Sequence, residues 1–157
     1  MRKRMLSPDP SSSWDIGTDW LPLERIALVE VTSEASSHPI EAALLPNAQM
    51  GWRAALPGQQ TIRLIFDSPQ RLKHIRLLFL EGEVERSQEF VLRWSSDDGQ
   101  TFHEIVRQQW NFSPHGSTQE MEDYHVELSG VMQVELKIVP EKSGGEVCAS
   151  LAQLRLA

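Results

Sequence analysis

Cysteine is nearly absent: Cys148 is the only one, so no intrachain disulfide and no cysteine-based metal cage can form. The expected place for this thiol is that of a small buried hydrophobe, the usual habit of a free cysteine. No run of about 18 apolar residues occurs, which excludes a helix long enough to cross a bilayer. Basic residues are scarce, 15 Lys and Arg against 22 Asp and Glu, for a net charge of −7. A surface of that sign repels phosphate backbones and anionic lipid. Neither nucleic acid nor a membrane is therefore an expected partner, and the one basic run is Arg2-Lys3-Arg4. No apolar stretch follows it in Met5-Leu6-Ser7-Pro8-Asp9-Pro10, so no secretory signal is read and a cytoplasmic location is expected.

Catalytic motifs are missing too. There is no Gly-x-Ser-x-Gly elbow, His-Glu-x-x-His pair, phosphate-cradling glycine loop or Cys-x-x-Cys. The five histidines, His38, His74, His103, His115 and His125, have no ligand spacing along the chain, so no metal site is expected. His74 and His125 fall on the polar side of strand patterns and read as exposed. Asp97-Asp98 precedes Gly99 and reads as turn chemistry rather than an acid/base pair. The chain is not expected to be an enzyme.

What is present is period-two alternation. Ile62, Leu64 and Phe66 share one side of a segment, as do Ile75, Leu77 and Phe79, then Phe90, Leu92 and Trp94. Tyr124, Val126 and Leu128 follow, then Met132, Val134, Leu136 and Ile138, with Leu151, Leu154 and Leu156 closing the chain. One apolar face per strand describes antiparallel sheets half buried on a common core. Asp67-Ser68-Pro69-Gln70, Asp97-Asp98-Gly99-Gln100 and Ser129-Gly130 read as turns between them. The fold class is thus all-β, an antiparallel sandwich or barrel. The one helical candidate is Ile40–Leu45, stopped by Pro46. Residues 1–13, with Pro8, Pro10 and three serines, read as a flexible tail, and residues 14–157 as a single domain of a length that sustains one core.

These segments also resemble a family. Thr32-Ser33-Glu34, His38-Pro39-Ile40-Glu41-Ala42-Ala43 and Gly51-Trp52-Arg53-Ala54 are similar to the opening of a discoidin, or coagulation factor 5/8 C-type, domain of the galactose-binding kind. Thr61–Phe66 and Pro69–Phe79 resemble its next strands. Trp94-Ser95-Ser96-Asp97-Asp98-Gly99-Gln100-Thr101-Phe102 resembles its strand, Ser/Asp/Gly turn and aromatic, and Val131–Pro140 and Ser150–Leu156 resemble its last strands. The resemblance spans residues 24–157 and implies an eight-stranded jelly roll in two packed sheets. It also raises a structural calcium near the Trp. Here that loop reads Leu45-Pro46-Asn47-Ala48-Gln49-Met50, poor in the carboxylates calcium prefers, although Glu146 could supply one ligand. Calcium is not favoured, and no cofactor is expected.

Antiparallel connectivity sorts the connections into two sets. Asp67–Gln70, Asp97–Gln100 and Ser129-Gly130 share a short-turn end, and Thr32–Gln59, Glu81–Ser87, Asn111–Asp123 and Pro140–Val147 share a long-loop end. Long loops without structure of their own are where binding residues concentrate, and the resemblance places the ligand end there as well. The candidate ligand-binding residues are His38, Trp52, Arg53, Arg86, Trp110, Asn111 and His115. Sugar sites set an aromatic face against the apolar side of a pyranose and satisfy its hydroxyls with Arg, His, Asn or Glu. A folding role stands beside each candidate. Trp52 occupies the position of the family's structural Trp, and Trp110 and Phe112 continue a strand. His38, next to Pro39, reads more readily as a solvated or capping residue than as a ligand contact, and Arg53 and Arg86 most simply as surface charges with acidic neighbours. His115, in Pro114-His115-Gly116, is the one least explained by folding.

The loop Glu81-Gly82-Glu83-Val84-Glu85-Arg86 is acidic, which disfavours insertion into lipid. The function read from the sequence is a non-catalytic carbohydrate-binding module acting through the long loops. The alternative is a cytoplasmic protein-interaction or assembly domain on the same fold. The ligand is accordingly carbohydrate or protein, and the oligomeric state stays open.

Overall fold

The computed structural model describes residues 19–48 and 50–157. The expected tail over residues 1–13, the Arg2-Lys3-Arg4 run, the domain start at Trp14 and Gln49 in the calcium-type loop lie outside the described residues. Eight strands run among the rest: β1 (Ala27–Val31), β2 (Trp52–Pro57), β3 (Gln60–Leu80), β4 (Arg86–Ser95), β5 (His103–Phe112), β6 (Gln119–Val139), β7 (Cys148–Leu151) and β8 (Gln153–Leu156). Two one-turn helices, α1 (Leu23–Ile26) and α2 (Glu41–Leu44), complete the chain. The second lies where the short apolar run before Pro46 suggested it. All strand pairs are antiparallel, in the order β1-β3-β6-β4-β5 with β8 added to β3, and β2 pairs β7 separately.

The long strands β3 and β6 correct the expected connections. Asp67–Gln70 and Ser129-Gly130 are not reversing turns. The two strands pair from Gln60↔Ile138 to Leu80↔Gln119, and the register slips between Ile65 and Gln70 and again on either side of Leu72. Both sites are bulges on one shared corner. Turn-type residues suit a bulge for the reasons that they suit a turn. Pro69 donates no ladder hydrogen bond, and Gly130 takes a positive φ of 68°.

The bulges also shift the phase of β3. Burial falls on Ile62, Leu64 and Phe66 before the corner and on Ile75, Leu77 and Phe79 after it. An odd number of extra residues reverses which side of a strand faces inward, so the apolar side still points at the core once the strand has crossed into the second layer. The layers meet in one cluster that holds Trp52, Phe79, Phe90, Phe112 and Leu136. The Phe79 and Phe90 rings lie 5.2 Å apart across it. Cys148 is half-buried against the same cluster.

On the outer face of the first layer, Glu135 is 1% exposed and is held from both sides by Arg63 on β3 and Arg93 on β4. Burial alone raises a carboxyl pKa, but the hydrogen bonds from Arg93 and Arg63 outweigh it and hold Glu135 below the usual carboxylate range.

The opposite end from the corner gathers the long connections. Glu81 N donates to Thr118 O (2.8 Å), Lys142 N to Ser87 O (2.9 Å) and Gly58 N to Val147 O (3.2 Å). At the corner end, the Asp97–Gln100 turn lies against Gln133, within 3 Å of where a Cβ on Gly99 would stand (2.9 Å).

Truncating Phe90 to Ala is expected to lower the unfolding free energy by about 3–5 kcal/mol. Leu28→Ala, at a side chain 62% exposed, is expected to change it by no more than about 0.5 kcal/mol. Urea titrations of both variants check this, and equal losses would contradict the inward assignment of β4.

Candidate functional site

The Thr32–Ile40 loop is built from its own side chains. Thr32 Oγ1 accepts from Thr61 N (2.8 Å), and Ser33 Oγ donates to Gln60 Oε1 (2.8 Å) while accepting from Ala55 N (3.1 Å). Glu34 Oε2 accepts from Ile40 N (2.8 Å) just before α2. Trp52 is 1% exposed, and its indole N–H donates to Ser33 O (3.0 Å). It offers no face to a ligand; its ring fills the core while its polar edge ties the loop to β2, the pairing a buried Trp requires. Gly51 has φ +71°, and an added Cβ would stand 2.8 Å from Leu151 O and 2.9 Å from Ala152 Cα. Only glycine lets β2 come this close to the end of β7.

This framework sets His38 beside Arg53. Arg53 N donates to His38 O (3.1 Å), Ala35 N to Arg53 O (2.8 Å), and Ser37 Oγ lies 2.9 Å from His38 Nδ1. Arg53 faces Ser150 across the β2–β7 pair. These residues line a depression of about 120 Å³ together with Met50, Leu80 and the edge of Trp52. Met50 is 69% and Leu80 49% exposed. Arg53 is exposed and forms none of the ion pairs among the described residues. Met50, Leu80 and Ser150 were not candidates from sequence. They join the site because β2, β7 and the end of β3 converge, a long-range event without local signature.

The other candidates separate from this group. Arg86 is not a surface charge: it is 2% exposed, paired with Glu81 (2.7 Å), donates to Gln88 Oε1 and Pro140 O (2.9 Å each), and lies 4.7 Å over the Phe112 ring. As first residue of β4 it shares the inward phase of Gln88 and Phe90, so its side chain turns under the loops and ties them together. Asn111 is exposed and accepts from Ser87 Oγ (2.7 Å). With Glu85, Arg86, Ser87, Phe112 and Glu141 it lines a second, acidic depression of about 450 Å³. Trp110, opposite Gln88 in the ladder, is half-buried against the core, which is its folding role. His115 is exposed at the tip of a turn closed by Ser113 N to Ser117 O (2.9 Å), and it lines neither depression. Among the described residues, neither of these two polar concavities is lined by an exposed aromatic ring.

Beneath the second concavity, Gln88 Nε2 donates to Glu120 Oε1 (3.3 Å). Burial first, then the hydrogen bond and charge of Glu122, push the Glu120 carboxyl up to about 8. The folded chain therefore keeps a proton that the unfolded chain has lost above the ordinary glutamate value of 4.5. This contribution to stability is full below that value and declines as pH rises toward 8. Glu120→Gln is expected to remove the decline. Unfolding free energies measured from pH 5 to 8 should fall more steeply in the parent than in the variant, and parallel curves would contradict it.

No known family profile matches the sequence, and no curated protein matches it. Similarity to solved structures is extensive. A family 32 carbohydrate-binding module from Clostridium perfringens NanJ, solved with galactose, superposes with a TM-score of 0.64 at 12% identity, covering 87% of this chain and 96% of that one. The third such module from a family 31 glycoside hydrolase of Clostridium perfringens gives 0.65 at 16%, covering 87% and 93%. The module of AlyQ, solved with 4,5-unsaturated mannuronic acid, gives 0.62 at 16%, covering 84% and 95%. At these identities the likeness is one of fold, and it establishes the galactose-binding-like β-sandwich.

Proposed function

We propose that this chain is a non-catalytic carbohydrate-binding module whose ligand lies in the depression between the Thr32–Ile40 loop, β2, β7 and the end of β3. The observation that carries the reading is Arg53, an exposed guanidinium in none of the ion pairs among the described residues, held beside His38 of the loop and opposite Ser150 across the β2–β7 pair. Arg53 presents a fork of donors that matches vicinal hydroxyls or a carboxylate, His38 and Ser150 add polar contacts, and Met50 and Leu80 supply the apolar surface for pyranose C–H groups. The sandwich it shares with modules solved with sugars supports the reading. An apolar floor made of Met and Leu rather than a stacked aromatic ring favours a weak, shallow mode of binding.

A glycan array followed by calorimetry on the best ligand tests this. A hydrogen bond to a charged group contributes about 1.5–3 kcal/mol, so Arg53→Ala is expected to weaken binding by about ten- to a hundredfold. Asn111→Ala, in the other concavity, is expected to leave it within about twofold. Absence of any glycan binding below millimolar concentration, or indifference to Arg53→Ala, would overturn the proposal.

A further inference from the structure

On the outer face of the second layer the β3–β6 register sets His74 directly opposite His125 and Arg76 opposite Asp123. Asp123 and His125 are two residues apart on one strand, so their side chains emerge on the same side. Side chains directly opposite each other start from Cβ atoms only about 4.5–5.5 Å apart. The result is a group that spacing along the chain hides, since His74 and Asp123 are separated by 49 positions. The imidazole rings of His74 and His125 lie 4.8 Å apart and nearly parallel, and His74 Nε2 contacts Asp123 Oδ1. One ligand atom from each of the three residues falls within 4.8 Å of the other two.

We propose that His74, Asp123 and His125 form a binding site for one divalent transition-metal ion of the zinc type. Two imidazole nitrogens and one carboxylate oxygen suit zinc, nickel, copper or ferrous iron, whereas calcium and magnesium call for oxygen ligands. Tetrahedral coordination at bonds of about 2.0–2.1 Å places ligand atoms roughly 3.4 Å apart. To reach that spacing the His74–Asp123 contact must open to admit the ion, while the widest separation in the group, within 4.8 Å, must close; rotation of the exposed His125 side chain supplies the closing movement. A cation would enter between His74 and Asp123, taking the place of the proton that links them, with the remaining position open to water.

The surroundings orient the set. Arg76 holds the second carboxylate oxygen of Asp123 (3.2 Å) and lies 5.0 Å over the ring of Trp20, which packs 4.9 Å from His74. Hydrogen bonds to a ligating carboxylate fix it for coordination. The positive charge of Arg76 opposes the ion and keeps the affinity below that of a closed structural zinc site. This face lies outside both loop-end depressions, so the inference stands apart from the carbohydrate proposal.

Calorimetry of the tag-free full chain with ZnCl₂ tests it. One equivalent is expected to bind saturably, with no response to CaCl₂. Losing a ligand costs at least as much as losing one of its outer partners, so His125→Ala is expected to weaken binding by about a hundredfold or more. His115→Ala and His103→Ala, at histidines outside the group, are expected to leave it unchanged. His125 is exposed, and an unchanged melting temperature of metal-free His125→Ala would show that its fold is intact. A His74→Ala variant provides a second reading. Zinc binding absent below millimolar concentration, or retained within about threefold in His125→Ala, would overturn the proposal.

Discussion

The corner shared by β3 and β6 is the constraint from which the rest of the molecule follows. Each strand is 21 residues long, and the pair could run as one flat ribbon with its apolar residues exposed on alternating sides. Paired bulges at Asp67–Gln70 and Ser129-Gly130 bend both strands together while the ladder continues on either side. Bending one strand alone would break the ladder. Bending both, with a change of phase in β3, folds one paired ribbon over its own core. The free ends of the ribbon then come together at the far side, and every connection between them must lie there.

That convergence explains why the loop end is rich in polar contacts rather than loose. Four connections meet, and their backbone groups need partners in a crowded space. Arg86 ties the connections together from a buried position, donating to the backbone carbonyl of Pro140 and to the side chains of Glu81 and Gln88 at once. Trp52 and Ser33 do the same for the loop before α2. Removing one partner from such a network leaves a buried charge or donor unsatisfied, which costs more than the contact itself contributes. Arg53, by contrast, is exposed and joins none of the ion pairs among the described residues, and that difference separates the proposed binding residue from its neighbours.

Much of the architecture was legible in the chain. Period-two alternation located most of the strands, and the residues it turns inward on β3 are buried, as are Phe90 and Leu92 on β4, whereas Trp94 is only half-buried. The opposition of a short end and a long-loop end follows from counting directions, and the folded ribbon preserves it because a corner between layers reverses direction as a hairpin does. What alternation does not encode is whether a Pro or Gly marks a turn or a bulge, because both need the same backbone freedom. From the chain alone Arg86 reads as exposed, because a charged residue beside an acidic loop has no local sign of burial. Its inward phase, shared with Gln88 and Phe90, was the available signal. Trp52 is buried and Trp110 half-buried against the core, placements that suit the folding roles set beside their binding roles. The cluster of His74, Asp123 and His125 depends on register between distant strands, and so do Met50, Leu80 and Ser150 beside Arg53. No spacing rule along the chain carries such pairings.

The proposed binding surface of the folded ribbon lies at the convergent loop end, in the depression around Arg53. Backbone amide chemical shifts, recorded while a bound glycan is titrated into the chain, test it most directly. The account predicts shifts concentrated on His38, Met50 to Arg53, Leu80 and Ser150 to Ala152, with the corner at Asp67–Gln70 and Ser129-Gly130 unchanged. Shifts centred on the corner, or on the outer faces of the strands, would contradict it.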